Sequence, residues 1–104
     1  MNSHYILQGK QPIPCEDLLT WAQWMETHNR HVAKECVGVD EVSVSTVFLG
    51  LNHNFQAEGD PLVFESMVFG GHLDGEQRRY ATWDEAQHGH DELVARVRQA
   101  EGRA

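Results

Sequence analysis

The chain has 104 residues, 40% of them hydrophobic with three Trp and four Phe, which suits one domain with one modest core. Eight Lys and Arg stand against sixteen Asp and Glu, for a net charge of −8. That balance argues against direct binding of DNA or RNA, which needs a basic face, and suits either solubility or a basic partner surface.

The N-terminal MNSHYILQGK has neither the basic n-region nor the long apolar core of a signal peptide, and no apolar run approaches the roughly 18 residues of a membrane span. Cys15 and Cys36 show no zinc spacing and no CxxC motif, so they read as reduced thiols of a cytoplasmic protein. His4–Gln8 is a strand candidate closed by Gly9, and Pro12 and Pro14 keep the first helix from starting early. That helix is expected over about 15–29, with Leu18, Trp21, Ala22 and Met25 on its apolar face. Trp24 falls about 110° from the centre of that face, which makes it a partly exposed aromatic.

Arg30–Val37 is read as a strand that turns at Gly38 and Asp40. In VSVSTVFLGL, Val42 and Val44 share one phase, while Val47, Leu49 and Leu51 share the other. Such a slip predicts either a bulge near Ser45–Thr46 or a strand buried on both faces. Leu62–Phe69 is its hairpin partner across the loop Asn52–Pro61, and Arg79–Ala81 forms a short edge strand. Thr82-Trp-Asp-Glu85 is a capping box opening a helix over about 83–100, with Trp83, Ala86, His90, Leu93, Val94 and Val97 on its buried side. Gly89 borders that stripe and predicts a close approach to the sheet. Together these elements describe an α+β domain with a mainly antiparallel sheet of three to five strands and two packed helices.

Seven histidines invite a metal site, and helix and strand geometry removes most of it. His88 and His90 lie about 200° apart on a helix and cannot share an ion. His53 and His72 leave opposite ends of the predicted hairpin, roughly 25 Å apart. Glu58 and Asp60, from its own loop, remain as companions for His53, giving a small-ligand- or metal-binding protein or an enzyme as the alternative. His90 is expected as a buried neutral histidine with one partner, and Glu65 as exposed or paired with Arg78 or Arg79. No zinc signature, nucleophile elbow or phosphate loop is present in the sequence, so no catalytic residue, metal or cofactor is assigned. What remains is a candidate contact surface of Trp24, His53, Phe55, Glu58, Asp60, Arg78, Arg79 and Tyr80, rich in the aromatic and arginine side chains that anchor interfaces.

The segments TVFLGLNHNF, LVFESMVFGG and RRYATWDEAQHGHDELV, with YILQGKQPIPCEDLLTWAQWME before them, resemble a family of small uncharacterised bacteriophage and prophage proteins. The resemblance implies an aspartate at the position of Asn52 and assigns no activity. It implies a non-enzymatic protein of the host cytoplasm that binds a host protein, most sharply an inhibitor of a basic defence nucleoprotein, anti-CRISPR-like or otherwise anti-defence. A homodimeric assembly protein is the further alternative, because apolar residues in both phases of strands 42–51 and 62–69 call for cover on two faces.

Overall fold

The computed structural model of the chain describes residues 3–38, 41–56 and 58–102. Its elements run β1 (Tyr5–Gln8), β2 (Gln11–Pro14), α1 (Leu18–Thr27), β3 (His31–Val37), β4 (Val42–Phe48), β5 (Phe64–Phe69), β6 (Gln77–Tyr80) and α2 (Trp83–Glu101). Strands β3-β4-β5-β6 form one antiparallel sheet in sequence order, and β1 and β2 form a separate two-stranded sheet. The fold is therefore α+β with a mainly antiparallel sheet, as the pattern predicts.

Strand β2 is the element that the sequence reading missed. Gly9, at φ +64°, opens a two-residue turn between the paired Gln8 and Gln11, the backbone that a glycine-first hairpin requires. Pro12 and Pro14 are two residues apart, so both missing N–H groups fall on the same side, and an edge strand tolerates them there. The hairpin joins the end of β4 through a His4–Leu51 bridge, with Tyr5 N–H donating to Gly50 O at 2.9 Å.

Helix α1 is shorter than expected and packs through a face rotated toward Trp24, which keeps Trp21 and Met25 of the expected stripe and leaves Leu18 and Ala22 exposed. Asp17 caps it, its carboxylate accepting from the Leu19 amide at 3.3 Å and the Thr20 hydroxyl at 2.5 Å, so Cys15 and Glu16 lie outside. None of its residues is fully buried, and Leu18 and Leu19 are 60% and 67% exposed. The helix docks instead through Trp21, Trp24 and Met25. The Trp21 indole N–H donates to Gly50 O at 3.0 Å, and the Met25 side chain lies over Gly50. Trp24 meets Phe48 edge-on at 5.7 Å between ring centroids. Positions 21, 24 and 25 obey helical spacing as well as the predicted stripe does. A short strand end was there to receive them, and no broad sheet face was there to receive Leu18 and Ala22.

The phase slip in VSVSTVF is not a bulge. Val42, Val44, Thr46 and Phe48 are all buried, and β4 pairs with β5 from Ser43–Phe69 to Phe48–Phe64 without a break. Thr46 is simply a polar residue in the apolar phase, while the register shift lies in β3, between His31 and Ala33. Helix α2 covers this buried face. Its capping box forms, with Glu85 N–H on Thr82 Oγ1 at 3.1 Å; the Glu85 carboxylate reaches back to the Ala81 amide at 3.2 Å, one residue beyond the cap.

The core has two clusters. One holds Val37, Val42, Val44, Val68, Leu93, Val94 and Val97; the other is built on Phe48, Val63, Phe64 and Ala86, with Tyr5, Leu7, Trp24, Val32, Tyr80 and Trp83 against it. The opposite sheet face, with Ser43, Ser45, Val47, Glu65 and Met67, is half-buried, and Phe69 on it is 51% exposed. No helix among the described residues is long and apolar enough to cross a membrane.

Candidate functional site

After β4 the chain leaves the sheet through Leu49–Leu51 and returns at Val63. Leu49 N–H donates to Val63 O at 2.6 Å, and His53 N–H to Leu62 O at 2.8 Å, so the two loop stems stay joined beyond the strand ladder. Two asparagine side chains then organise the loop. Asn52 Oδ1 accepts from Asn54 N at 2.8 Å and from Leu62 N at 3.0 Å, stapling the loop's ends. Asn54 Nδ2 donates to the carbonyls of Glu58 and Asp60 at 3.2 and 2.9 Å, and its Oδ1 accepts from Gln56 N at 3.0 Å. These are the local side-chain-to-backbone bonds that make Asn a loop-forming residue. An aspartate at 52 could accept the same two bonds, so loop closure explains that position without a bound ligand.

The tip presents Phe55, 85% exposed, with its ring 6.0 Å from that of His53. His53 Nδ1–H donates to Leu51 O at 3.0 Å, which fixes the ring. His53, Glu58 and Asp60 are not brought together as a ligand set: among the described residues, no three His, Cys, Asp or Glu side chains are placed to hold a metal ion. Asp60 instead faces a neighbouring cleft.

Four of the eight predicted contact residues turn out to have other work. Trp24 packs against the Phe48 cluster and stacks on His28 at 4.6 Å. Tyr80 points into the fold, where its hydroxyl donates to Ser66 Oγ at 3.1 Å and its ring lies against Gly89. A methyl group on Gly89 would overlap that ring, which is the close approach expected of this glycine. Arg78 and Arg79 alternate across the sheet, Arg78 toward Glu92 of α2 at 3.4 Å and Arg79 toward Glu65 at 3.0 Å. The other four, His53, Phe55, Glu58 and Asp60, lie together on the loop.

Two features escaped the sequence reading. The first is a polar layer between the two core clusters. Thr46 Oγ1 lies 2.5 Å from Ser66 Oγ and 2.6 Å from His90 Nδ1, and all three residues are buried. His90 is 2% exposed, and its Nε2 has no partner among the described residues. Burial holds this imidazole below its ordinary pKa of 6.5, against the opposing pull of Asp91 and Glu35. The buried His90 with one partner is as the sequence predicts; what it does not give is that partner, Thr46, or the burial of Ser66 beside it.

The second is a cleft of about 720 Å³ between the β1–β2 hairpin, the Asp60–Pro61 stem and the start of α2. Tyr5, Lys10, Asp60, Trp83 and Asp84 line it, together with Pro12, Pro61 and Val63. The Trp83 ring is steadied by an edge contact with Phe64 at 6.1 Å, and the Lys10 ammonium sits over it, 5.6 Å from its centroid. A pairing between a hairpin turn and a helix start 73 residues later leaves no periodic trace in the sequence. No protein-family model, curated protein or solved structure matches the chain.

Proposed function

We propose that this chain is a non-catalytic binding protein that engages a partner protein through the loop 52–61. The observation that carries this reading is Phe55, 85% exposed at the tip of a loop tied down by Asn52 and Asn54. An exposed aromatic on a pre-organised loop loses little conformational entropy on binding, and a buried aromatic anchor supplies much of an interface's energy. Glu58 and Asp60 on the same loop, and the net charge of −8, favour a partner whose socket for Phe55 is ringed by basic residues. In its sharpest form the partner is a host defence nucleoprotein, and binding blocks its basic nucleic-acid groove. The acidity and the resemblance to phage proteins support that form.

Affinity capture from a host lysate tests the reading, with wild type and Phe55→Ala immobilised in parallel. A protein retained by wild type and lost from Phe55→Ala is the expected result. Equal recovery on both, or no specific protein on either, overturns it.

A homodimer is the second reading. It is favoured by the sheet face opposite α2, where Phe69 is 51% exposed and Met67 and Val47 are half-buried. Light scattering over a hundredfold concentration range is expected to give twice the monomer mass if that face pairs with its copy; a constant monomer mass removes the reading.

A further inference from the structure

We infer that the cleft between the β1–β2 hairpin and α2 is a binding site for a guanidinium or alkylammonium group, and that Lys10 occupies its platform as an internal stand-in for that cation. The Trp83 indole offers the aromatic face that attracts cations most strongly, and the distance of 5.6 Å to the Lys10 ammonium lies within cation–π range. The wall behind the ring is fixed, since Trp83 packs edge-on against the fully buried Phe64. Tyr5 adds a second aromatic to the lining.

Charge decides the sign of the ligand. The cleft is lined by one cation, Lys10, and two carboxylates, Asp60 and Asp84, for a net of −1. The start of α2 is a weak competitor for anions. The Glu85 and Ala81 amides there are already taken by Thr82 and Glu85 side chains, and Asp84 and Glu85 fill the first turn with negative charge. A cation entering the cleft therefore meets a ready aromatic face and two carboxylates.

Lys10 is suited to leave. It sits exposed in the two-residue turn, and among the described residues its ammonium makes no ion pair. An incoming cation displaces it into solvent at the loss of a single exposed cation–π contact. The cleft shares Asp60 with the loop surface and is otherwise separate from it: its platform is Trp83 and Lys10, and Phe55 does not line it.

Titration of the full ¹⁵N-labelled chain with N-acetyl-arginine amide and with agmatine tests the site, followed by the Trp83 indole N–H resonance. That resonance is assigned with Trp83→Phe. The expected result is a saturable shift of this indole, with Lys10→Ala tightening binding about two- to fivefold because an internal competitor is gone. Asp60→Asn combined with Asp84→Asn weakens it about tenfold or more. Stronger binding of the blocked arginine points to a partner's side chain as the source, and stronger binding of agmatine to a free ligand. Absence of a saturable shift with both probes, no gain in Lys10→Ala, or a response to inorganic phosphate in place of the cations overturns the inference. Phe55→Ala is expected to titrate like wild type, so this site and the loop reading fail separately.

Discussion

At the scale of single residues, Thr46 and His90 show how a polar group is placed in an apolar core. Thr46 occupies the buried phase of β4 because its hydroxyl serves Ser66 and His90 together. Tyr80 extends the chain of hydroxyls by donating to Ser66. Removing the Thr46 hydroxyl leaves the buried His90 Nδ1 without its partner and Ser66 with Tyr80 alone, and a half-satisfied network is worse than an apolar core from the start. Thr46→Val keeps the shape of the side chain and is expected to destabilise the protein by about 2 kcal/mol. Thr46→Ser, which keeps the hydroxyl and drops a methyl group, is expected to cost about 1 kcal/mol. Urea unfolding of the two variants checks the order; a Thr46→Val protein as stable as wild type would show that the network contributes nothing.

At the scale of elements, α1 departs furthest from its sequence pattern. A helix is amphipathic with respect to what it touches, and α1 touches a strand end and a hairpin. Three side chains make that contact: Trp21 through its hydrogen bond to Gly50, Met25 over the same glycine, and Trp24 against Phe48. Leu18 and Leu19 remain on the solvent side. Replacing either with Lys is therefore expected to change stability by less than about 0.5 kcal/mol. Trp24→Ala, by contrast, empties a half-buried aromatic site and is expected to cost about 2–3 kcal/mol. Thermal unfolding of the three variants separates this docked face from the predicted one, on which Leu18 would have been the costly position. The loop 52–61 is the opposite case. NHN in the sequence marks a turn with asparagines at its corners, and in the structure those asparagines build the turn.

For the whole molecule, the asymmetry of cover and the titration of the core matter most. One face of the sheet lies under α2 and carries both core clusters; the other is open, with Phe69 exposed on it. His90 links the covered face to pH. Its folded pKa lies below the ordinary 6.5, so near that pH the unfolded chain binds the proton more readily than the folded one. The stability this contributes is complete above about pH 6.5. It is lost as pH falls below that value, until the lowered folded pKa is passed. Denaturant midpoints of wild type and His90→Gln between about pH 8 and pH 5 test this. Wild type is expected to lose more stability over the acidic half of the range than the variant, and parallel curves would exclude His90 as a contributor. Glu101, whose pKa is lowered by bonds from the His72 amide and ring, ties the end of α2 to the β5–β6 turn at the surface. Its partner His72 is exposed to solvent, so the pair contributes little by comparison.

Much of this architecture is local and was legible from the chain alone. The β4–β5 hairpin, the strand at β3, the capping box and buried stripe of α2 and the close approach at Gly89 all follow from periodicity, turn residues and strand register, while the choice of Arg79 over Arg78 as the partner of Glu65 does not. These depend on neighbours a few residues away or on one antiparallel pairing. Tertiary structure decided the rest. It selected which face of α1 was buried and made a proline-bearing segment an edge strand. It gave Thr46 partners 20 and 44 residues distant, and it set Lys10 on the ring of Trp83. The physical reason is common to all four. Each depends on what another element presents at the point of contact, and a sequence pattern records that a residue seeks burial or a partner without recording what will meet it.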